Sequence, residues 1–419
     1  MGATPISTGL RHCPGRQPAG TGLALLAAAQ LAVAGCSTPT RLPAVPHAAT
    51  ASATTALGPV RYLVARATDD FAEEARRSIL REQAYLASIG HDGPMPPASI
   101  LAISGGGDNG AFGAGLLNGW TESGTRPEFK VVTGVSTGAL IAPFAFLGPS
   151  YDPVLRQVYT QTSGRDIFRK RGLLKALFSD SMADSGPLYA TIARHVDRAL
   201  LNAIAAEHAK GRSLLVATTN FDALEPVVWN MTAIAASRDP RAIELFRKVL
   251  LASASIPGAF PPVMIDVSVN GVRHQEMHVD GGAMSQVFMY PPSVRVADMA
   301  AELGVQRQRT LYLIRNARLD PEWASVDRKV LPIAARAIGS LTQTQGLGDL
   351  YRIYTTTQRD GIDFNLAFIP PSFAAQHREE FDTNYMRQLF ETGRSMAASG
   401  YQWQKSPPGF DRGVLAPGK

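Results

Sequence analysis

The sequence predicts an α/β protein with a mostly parallel sheet that helices cover on both faces. Two strand–turn–helix units indicate this. One runs from an apolar strand at 99–103 through a glycine cluster into a helix at 111–121, and the other from a strand at 129–135 through Ser136 into a helix at 139–146. Repeated units of this kind place their strands side by side and parallel. A hydrophobic content of 45% with 18% charged residues is that of a globular protein.

The remaining elements are predicted in order along the chain. They are a helix at 68–89, mainly helical structure at 162–211, strands at 213–219 and 226–229, a helix at 241–252, strands at 263–269 and 272–279, strands at 310–314 and 362–369, and a helix at 383–398. The Asn270-Gly271 pair between two of these strands is a strong turn signal and predicts a β-hairpin.

Charge and cysteine content exclude several classes of protein. The chain has 41 Lys and Arg against 35 Asp and Glu, and a net charge of +6 is too small to indicate nucleic-acid binding. The two cysteines, Cys13 and Cys36, both lie near the N-terminus. Neither a disulfide framework nor a cysteine-based zinc site therefore supports the body of the protein.

The N-terminal region is typical of a secretory signal peptide. Residues 22–34 form an apolar run of 13 residues, shorter than the roughly 20 that span a bilayer. The sequence VAGC that ends at Cys36 resembles a bacterial lipobox, in which cleavage leaves a lipidated Cys as the first residue. We therefore expect a signal peptide at 1–35 and lipidation of Cys36. An ordinary signal peptide with an incidental Cys is the alternative.

The segment after the predicted lipid anchor is rich in Ser, Thr, Pro and Ala. This composition predicts a flexible tether at 36–58, followed by one large domain at 59–419 with a C-terminal helical extension. The anchor predicts attachment to a membrane surface in the bacterial cell envelope. Ser37 stands where an Asp retains lipoproteins at the inner membrane in the bacterial systems that this segment resembles. Sorting to the outer membrane is therefore favoured.

A candidate nucleophile lies between the second strand and its helix. Gly134-Val135-Ser136-Thr137-Gly138 fits G-x-S-x-G in the strand–turn–helix context that this motif requires. The sharp turn projects Ser136 outward, and the helix N-terminus behind it favours developing negative charge. The alternative interpretation is a glycine-rich turn with a capping Ser.

The glycine cluster Gly105, Gly106 and Gly107 follows the first strand, and its amides could bind an anion. The sequence GGGDNG also fits a dinucleotide motif, which requires an acid about 20 residues later at the end of the second strand. Glu128 instead precedes that strand. An oxyanion hole that serves Ser136 explains both motifs, so we expect no dinucleotide.

A serine nucleophile needs a base, and two candidates are present. Asp280 follows the second strand of the hairpin, and burial that raised its pKa from about 4 would let it take the Ser136 proton directly. A Ser–Asp–His esterase would instead require a His downstream of Asp280, and only His377 satisfies that order. This esterase remains an alternative.

The hairpin strand also carries a possible metal site. His274, Glu276, His278 and Asp280 alternate along it and would share one face. The Glu is one position late for H-E-x-x-H, which also requires a helix. We favour a polar face on which His278 supports the Asp280 loop, and expect neither a metal nor another cofactor.

Four segments together resemble the patatin-like phospholipases, and the resemblance covers roughly residues 99–314. They are GGGDNGAFGAG at 105–115, GVSTG at 134–138, ASASIPGAFPP at 252–262 and HVDGG at 278–282. The resemblance implies a modified α/β-hydrolase-like sheet and cleavage of lipid acyl esters without a metal. It also implies a dyad of Ser136 and Asp280 without a catalytic His, and oxyanion donors on the amides of Gly105, Gly106 and Gly107.

One position departs from the family pattern. The family usually has Arg or Lys immediately before the last Gly of its glycine motif, where this chain has Asn109. The departure weakens the expected preference for phospholipid but not the expectation of ester hydrolysis. The expected partners are a lipid substrate and a membrane surface. A non-catalytic lipid-binding lipoprotein of the envelope is a second alternative.

Two further segments have functional interpretations. Arg165–Phe178 mixes cations with apolar residues, which indicates either a solvated helix with its apolar side on the core or a lid over lipid. Ile256–Pro262 is expected to line the acyl cleft, with a rigid helix–strand connection as the alternative.

Overall fold

The computed structural model describes residues 1–2, 40–65, 68–170 and 179–410. The strands in this part of the chain are β1 Arg61–Leu63, β2 Ala98–Ile103, β3 Phe129–Val135, β4 Arg169–Lys170, β5 Ala183–Asp184, β6 Ser213–Asn220, β7 Glu225–Asn230, β8 Val263–Val269, β9 Val272–Asp280, β10 Arg309–Arg315 and β11 Asp363–Phe368. The α-helices are α1 Thr68–Ser88, α2 Gly110–Glu122, α3 Thr137–Leu147, α4 Asp152–Gln161, α5 Gly164–Ile167, α6 Gly186–His195, α7 Arg198–Ala209, α8 Met231–Ala236, α9 Ala242–Ser253, α10 Val296–Glu302, α11 Val330–Asp360 and α12 Thr383–Ala398.

The main sheet is mixed but mostly parallel, as predicted. Its strand order is β1-β7-β6-β3-β2-β10-β11, and neighbours from β6 to β11 in this order are parallel. β7 and β1 extend the sheet antiparallel. The hairpin β8–β9 joins it through antiparallel pairing of β9 with the end of β6.

Helices cover both faces of the sheet, which confirms the predicted layers. Successive residues of a strand point to opposite faces. In β2, Leu101 and Ile103 belong to the larger core, whereas Ile100 and Ala102 belong to the core beneath α11. All four side chains are buried, so the sheet is buried on both faces as parallel sheets require.

The hairpin turn forms where the sequence predicted it. Val269 pairs with Val272, and the two turn residues Asn270 and Gly271 have φ of 49° and 81°. Positive φ at both central positions is the geometry that favours Asn-Gly. The turn fixes the register of β9 and thereby places Asp280 at its end.

The predicted flexible tether is instead held against the domain over residues 40–58. Arg41 forms an ion pair with Asp222, with 2.7 Å between Nη2 and Oδ1. Thr54 forms a bridge with Ser268 of β8. These contacts hold the segment in a fixed position on the domain, which its composition alone did not predict. Nearly all of the predicted signal peptide, and the cysteine that follows it, lie outside the described residues.

The C-terminal region is an integral part of the domain rather than an extension. β11 continues the sheet beside β10, and α12 packs directly on α2. An added Cβ at Gly115 would lie 1.9 Å from the Phe390 carbonyl oxygen, and one at Gly119 would lie 2.0 Å from that of Arg394. The two helices can approach this closely only because α2 presents glycines to its partner.

Candidate active site

Ser136 stands on a strained turn between β3 and α3. Its φ of 54° and ψ of −125° are unusual for a residue with a side chain. Both flanking positions leave no room for a side chain. A Cβ added at Gly134 would lie 2.5 Å from the Gly138 carbonyl oxygen, and one added at Gly138 would lie 2.3 Å from the Ile103 carbonyl oxygen. The backbone therefore has the geometry of a nucleophile elbow, as G-x-S-x-G predicted.

The structure brings Ser136 and Asp280 together across a long stretch of sequence. Ser136 Oγ donates a hydrogen bond to Asp280 Oδ2 at 2.6 Å. Asp280 lies opposite Thr218 in the β6–β9 pairing, which carries it to the edge of the sheet where Ser136 stands. Its other oxygen, Oδ1, accepts a hydrogen bond from the Gly282 amide at 2.7 Å, which fixes the carboxylate.

The carboxyl group of Asp280 is a stronger base than an exposed aspartate. Burial raises the pKa of Asp280 to about 7, and the hydrogen bonds from Ser136 and Gly282 offset part of that rise. No Lys or Arg among the described residues forms an ion pair with this carboxylate. Because its pKa lies near neutrality, Asp280 can both accept and return a proton there.

Ser253 holds the backbone of Ser136 in place and was not predicted from the sequence. The Ser136 amide donates to Ser253 Oγ at 3.0 Å, and Ser253 Oγ donates to the Ala217 carbonyl at 2.7 Å. Ser253 is fully buried. It lies within the ASASIPGAFPP segment, so the signal was present, but nothing in the sequence indicated this contact.

The glycine cluster lies beside Ser136, and one of its three predicted oxyanion donors already has a partner in the fold. An added Cβ at Gly105 would lie 3.2 Å from Ser136 Cβ. The Gly105 amide, however, donates to the Gln286 carbonyl at 2.9 Å and is engaged in the fold. The amides of Gly106 and Gly107 donate no hydrogen bond to any described residue. The amides of these two glycines are therefore available to an external acceptor.

Asn316 braces the glycine cluster and was also not predicted. Its side chain donates through Nδ2 to the Ser104 carbonyl at 2.9 Å and accepts through Oδ1 from the Gly113 amide at 3.0 Å. An added Cβ at Gly106 would lie 2.1 Å from the Asn316 carbonyl oxygen. The loop is therefore fixed by a residue about 200 positions away, which only the pairing of β10 with β2 brings near.

His278 belongs to a buried polar network behind Asp280. Trp229 Nε1 donates to Thr218 Oγ1 at 2.8 Å, and Thr218 Oγ1 is hydrogen-bonded to His278 Nδ1 at 2.9 Å. His278 Nε2 then donates to Glu276 at 3.2 Å, and Glu276 forms a bidentate ion pair with Arg61. Burial lowers the pKa of His278, so the imidazole is neutral. His278 is thus hydrogen-bonded to Thr218 and Glu276, and its support of the Asp280 loop stays a prediction.

The hairpin residues considered for a metal are engaged otherwise. His274 Nδ1 lies 3.2 Å from the Ala44 carbonyl oxygen, and Glu276 is paired with Arg61. In the part of the chain that the structure describes, no group of three or more His, Cys, Asp or Glu side chains is arranged to hold a metal ion.

His377 pairs with the glycine loop and not with the nucleophile. Its Nε2 lies 2.6 Å from Asp108 Oδ2, which also accepts from the Phe381 amide at 2.9 Å. The neighbouring Asn109 accepts a hydrogen bond from Tyr385 at 2.6 Å. The geometry gives the Ser–Asp–His alternative no support, and Asn109 is occupied by a protein partner.

The loop after α9 lies beside the dyad. The Ser255 carbonyl accepts a hydrogen bond from the Asp280 amide at 2.9 Å, so the Ile256–Pro262 segment starts at the site. Phe260 is buried against Phe168, with ring centroids 6.2 Å apart. The predicted helix over Arg165–Phe178 is corrected in its described part, because α5 ends at Ile167 and β4 follows; residues 171–178 lie outside that part.

Comparison with known proteins gave one family match. A family model described as patatin-like phospholipase matches residues 101–291, which include Ser136 and Asp280. A comparison with curated protein sequences gave no match.

Among solved structures, the chain is similar to VipD from Legionella pneumophila, with 11% identity, a TM-score of 0.34, and coverage of 74% of this chain and 68% of that one. It is also similar to human GIVD cytosolic phospholipase A2, with 9% identity, a TM-score of 0.28, and coverage of 75% of this chain. This chain spans 53% of the human protein's length.

Proposed function

Because the chain carries a domain of the patatin-like phospholipase family at residues 101–291, we propose that it is a lipid acyl hydrolase with a Ser136–Asp280 dyad. The observation that carries this proposal is the 2.6 Å hydrogen bond from Ser136 Oγ to Asp280 Oδ2. The raised pKa of Asp280, about 7, supports a direct role as base.

The proposed reaction has two halves. Ser136 Oγ attacks the ester carbonyl carbon while its proton passes to Asp280, and the amides of Gly106 and Gly107 donate to the oxyanion. The intermediate collapses, the bond to the alcohol oxygen breaks, and Asp280 returns the proton to that oxygen. Water then attacks acyl-Ser136 with Asp280 as base, which releases the fatty acid and restores the Ser136 hydroxyl.

Substitution of the dyad tests this proposal. Ser136→Ala and Asp280→Asn should each lower kcat/KM for p-nitrophenyl esters by roughly 10⁴-fold, because each removes a partner of one proton transfer. His377→Ala is the matched control and should keep activity. Circular dichroism should show that all three variants are folded.

Three outcomes would decide against the dyad. Retained activity in both dyad variants would exclude it, and collapse only in His377→Ala would favour the Ser–Asp–His esterase. Absence of fluorophosphonate labelling at Ser136 in folded wild-type protein would favour a lipid-binding lipoprotein.

We further propose that Cys36 is lipidated and anchors the protein in the bacterial cell envelope, at the outer membrane. The apolar run at 22–34, which ends two residues before Cys36, supports the proposal. Among the described residues, no helix has both the length and the apolarity that crossing a bilayer requires. Labelling with an alkyne fatty acid should mark the wild-type chain and not Cys36→Ser. Equal labelling of both would overturn the anchor site.

A further inference from the structure

The helix α11 has two halves in different surroundings. Its C-terminal half packs on the sheet, where Leu350 and Ile353 are buried in the core beneath it. From Val330 to Leu341, every residue but Pro332 is exposed. At 1.5 Å per residue, the 16 residues before Gly346 extend for about 24 Å. No apolar side chain from Val330 to Leu341 packs into a hydrophobic core of the described residues, although Arg336 donates a hydrogen bond to the Glu322 carbonyl.

The exposed N-terminal half of α11 projects from the edge of the sheet that carries the dyad. α11 leads into β11, which runs parallel to β10 and β2, so the helix itself runs antiparallel to these strands. Asp349 accepts a hydrogen bond from the Gln286 amide at 2.6 Å, and Gln345 accepts one from the Gln286 side chain at 3.2 Å. The Gln286 carbonyl also accepts a hydrogen bond from the Gly105 amide. The helix therefore passes the site at residues 345–349, and its N-terminal half extends beyond the site.

The projecting half is amphipathic. Val330, Leu331, Ile338 and Leu341 recur at helical spacing and share one face, and each is 63–84% exposed. Arg336 falls on the opposite face by the same spacing. A contiguous apolar face of this kind on a protein surface marks an interaction site.

The surroundings of this face indicate which surface it meets. Trp323, just before the helix, is 89% exposed, and an indole is favoured at the level of lipid headgroups. Between Trp323 and Gln345 the chain has three cations, Arg328, Lys329 and Arg336, and one acid, Asp327. An apolar face with an aromatic residue and excess positive charge fits an anionic phospholipid surface. Symmetric pairing of two copies would bring the cations together.

We propose that residues 323–341 form a membrane-docking surface that inserts shallowly into a phospholipid bilayer and places the dyad edge of the sheet against lipid. This inference rests on the proposed function, since it supplies that site with its substrate. It assigns membrane contact to the folded domain itself, in addition to the proposed anchor at Cys36.

The test measures vesicle binding without the anchor and without turnover. Full-length protein that carries Cys36→Ser and Ser136→Ala is mixed with phosphatidylcholine vesicles, with and without phosphatidylglycerol. Adding Leu331→Ser, Ile338→Ser and Leu341→Ser should lower the partition coefficient by roughly a hundredfold, since three apolar side chains lose their burial. Binding should also be stronger to the vesicles that contain phosphatidylglycerol.

The matched control replaces three apolar residues that are exposed elsewhere, Leu80, Ile89 and Leu224, by Ser. It should change partition by no more than about twofold. Equal partition of the helix variant and this control would overturn the proposal. So would a dimer in sedimentation velocity that the helix variant dissociates while its vesicle binding is unchanged.

Failure of the proposed function would be seen separately. With Ser136 restored, the helix variant should hydrolyse soluble p-nitrophenyl esters at the rate of its parent and vesicle phospholipid more slowly. If the parent hydrolyses no ester, the proposed function fails, while the vesicle result still decides the docking surface.

Discussion

Two buried carboxylates on the same strand show how surroundings set the role of an acid. Glu276 and Asp280 lie four residues apart on β9, and both are almost fully buried. Glu276 contacts a buried cation, Arg61, whereas Asp280 contacts a hydroxyl and an amide. One is therefore held as half of an ion pair and the other is left free to exchange a proton.

The pKa values of these two groups move in opposite directions. Burial alone would raise the pKa of Glu276, but the His278 hydrogen bond and the Arg61 charge outweigh it and lower that pKa. Burial dominates at Asp280 and raises its pKa to about 7. The difference shows that the identity of the partner, not the depth of burial, separates a structural carboxylate from a candidate base.

Removal of the Glu276 charge tests whether its ion pair with Arg61 stabilises the fold. Glu276→Gln should lower the free energy of unfolding by about 3–5 kcal/mol, because Arg61 would remain buried without its counterion. Urea denaturation measures this, and kcat/KM for a soluble ester should stay within about tenfold of wild type, since Glu276 does not contact the dyad.

The matched control is Glu391→Gln, which removes one acid from the exposed pair with Arg394 and should cost less than about 1 kcal/mol. If both variants lower the free energy of unfolding by the same amount, Glu276 does not stabilise the fold through Arg61.

The pH dependence of activity tests the raised pKa of Asp280. Only the deprotonated carboxylate accepts the Ser136 proton, so kcat/KM should rise tenfold per pH unit below the pKa and level off above about 7. Two units below that pKa, activity should be roughly a hundredfold lower. Initial rates with a soluble ester across this range measure the profile. A plateau that extends down to pH about 4, the ordinary range of an exposed aspartate, would show that burial does not set this pKa.

The smallest predicted effect concerns the support of the nucleophile. Ser253→Ala removes the acceptor of the Ser136 amide and should cost about 1–2 kcal/mol of unfolding free energy. It should also lower kcat more than it raises KM, because the nucleophile loses its positioning contact. Ser255→Ala is the control, since that hydroxyl is equally buried but donates only to Leu251. An equal loss of kcat in both variants would assign the effect to packing alone.

Local motifs explain why much of the fold was predictable. G-x-S-x-G and Asn-Gly each require a backbone geometry that only certain residues tolerate, so the turns at Ser136 and Asn270 followed directly. The strand predicted at 129–135 and the helix predicted at 383–398 have the bounds found in the structure. A strong hydrophobic periodicity or turn signal depends on only a few neighbouring residues, so tertiary contacts do not alter the element that it predicts.

The long helix α11 was not predicted, for an identifiable reason. It contains Pro332 and three glycines at 339, 346 and 348, which weaken any helical prediction. Its two halves also face different surroundings, so no single apolar stripe runs along it. The state of residues 40–58 escaped prediction similarly, because distant partners such as Asp222 hold them.

The local sequence specifies the elbow that carries Ser136, the hairpin that ends in Asp280, and the position of a glycine cluster after the first predicted strand. These are consequences of local backbone sterics. Tertiary packing brings Ser136 to Asp280, engages the Gly105 amide with Gln286, and gives Glu276 a cationic partner that Asp280 lacks. Pairing across more than 100 residues and removal from water depend on how the strands and helices pack, and no stretch of sequence contains that information.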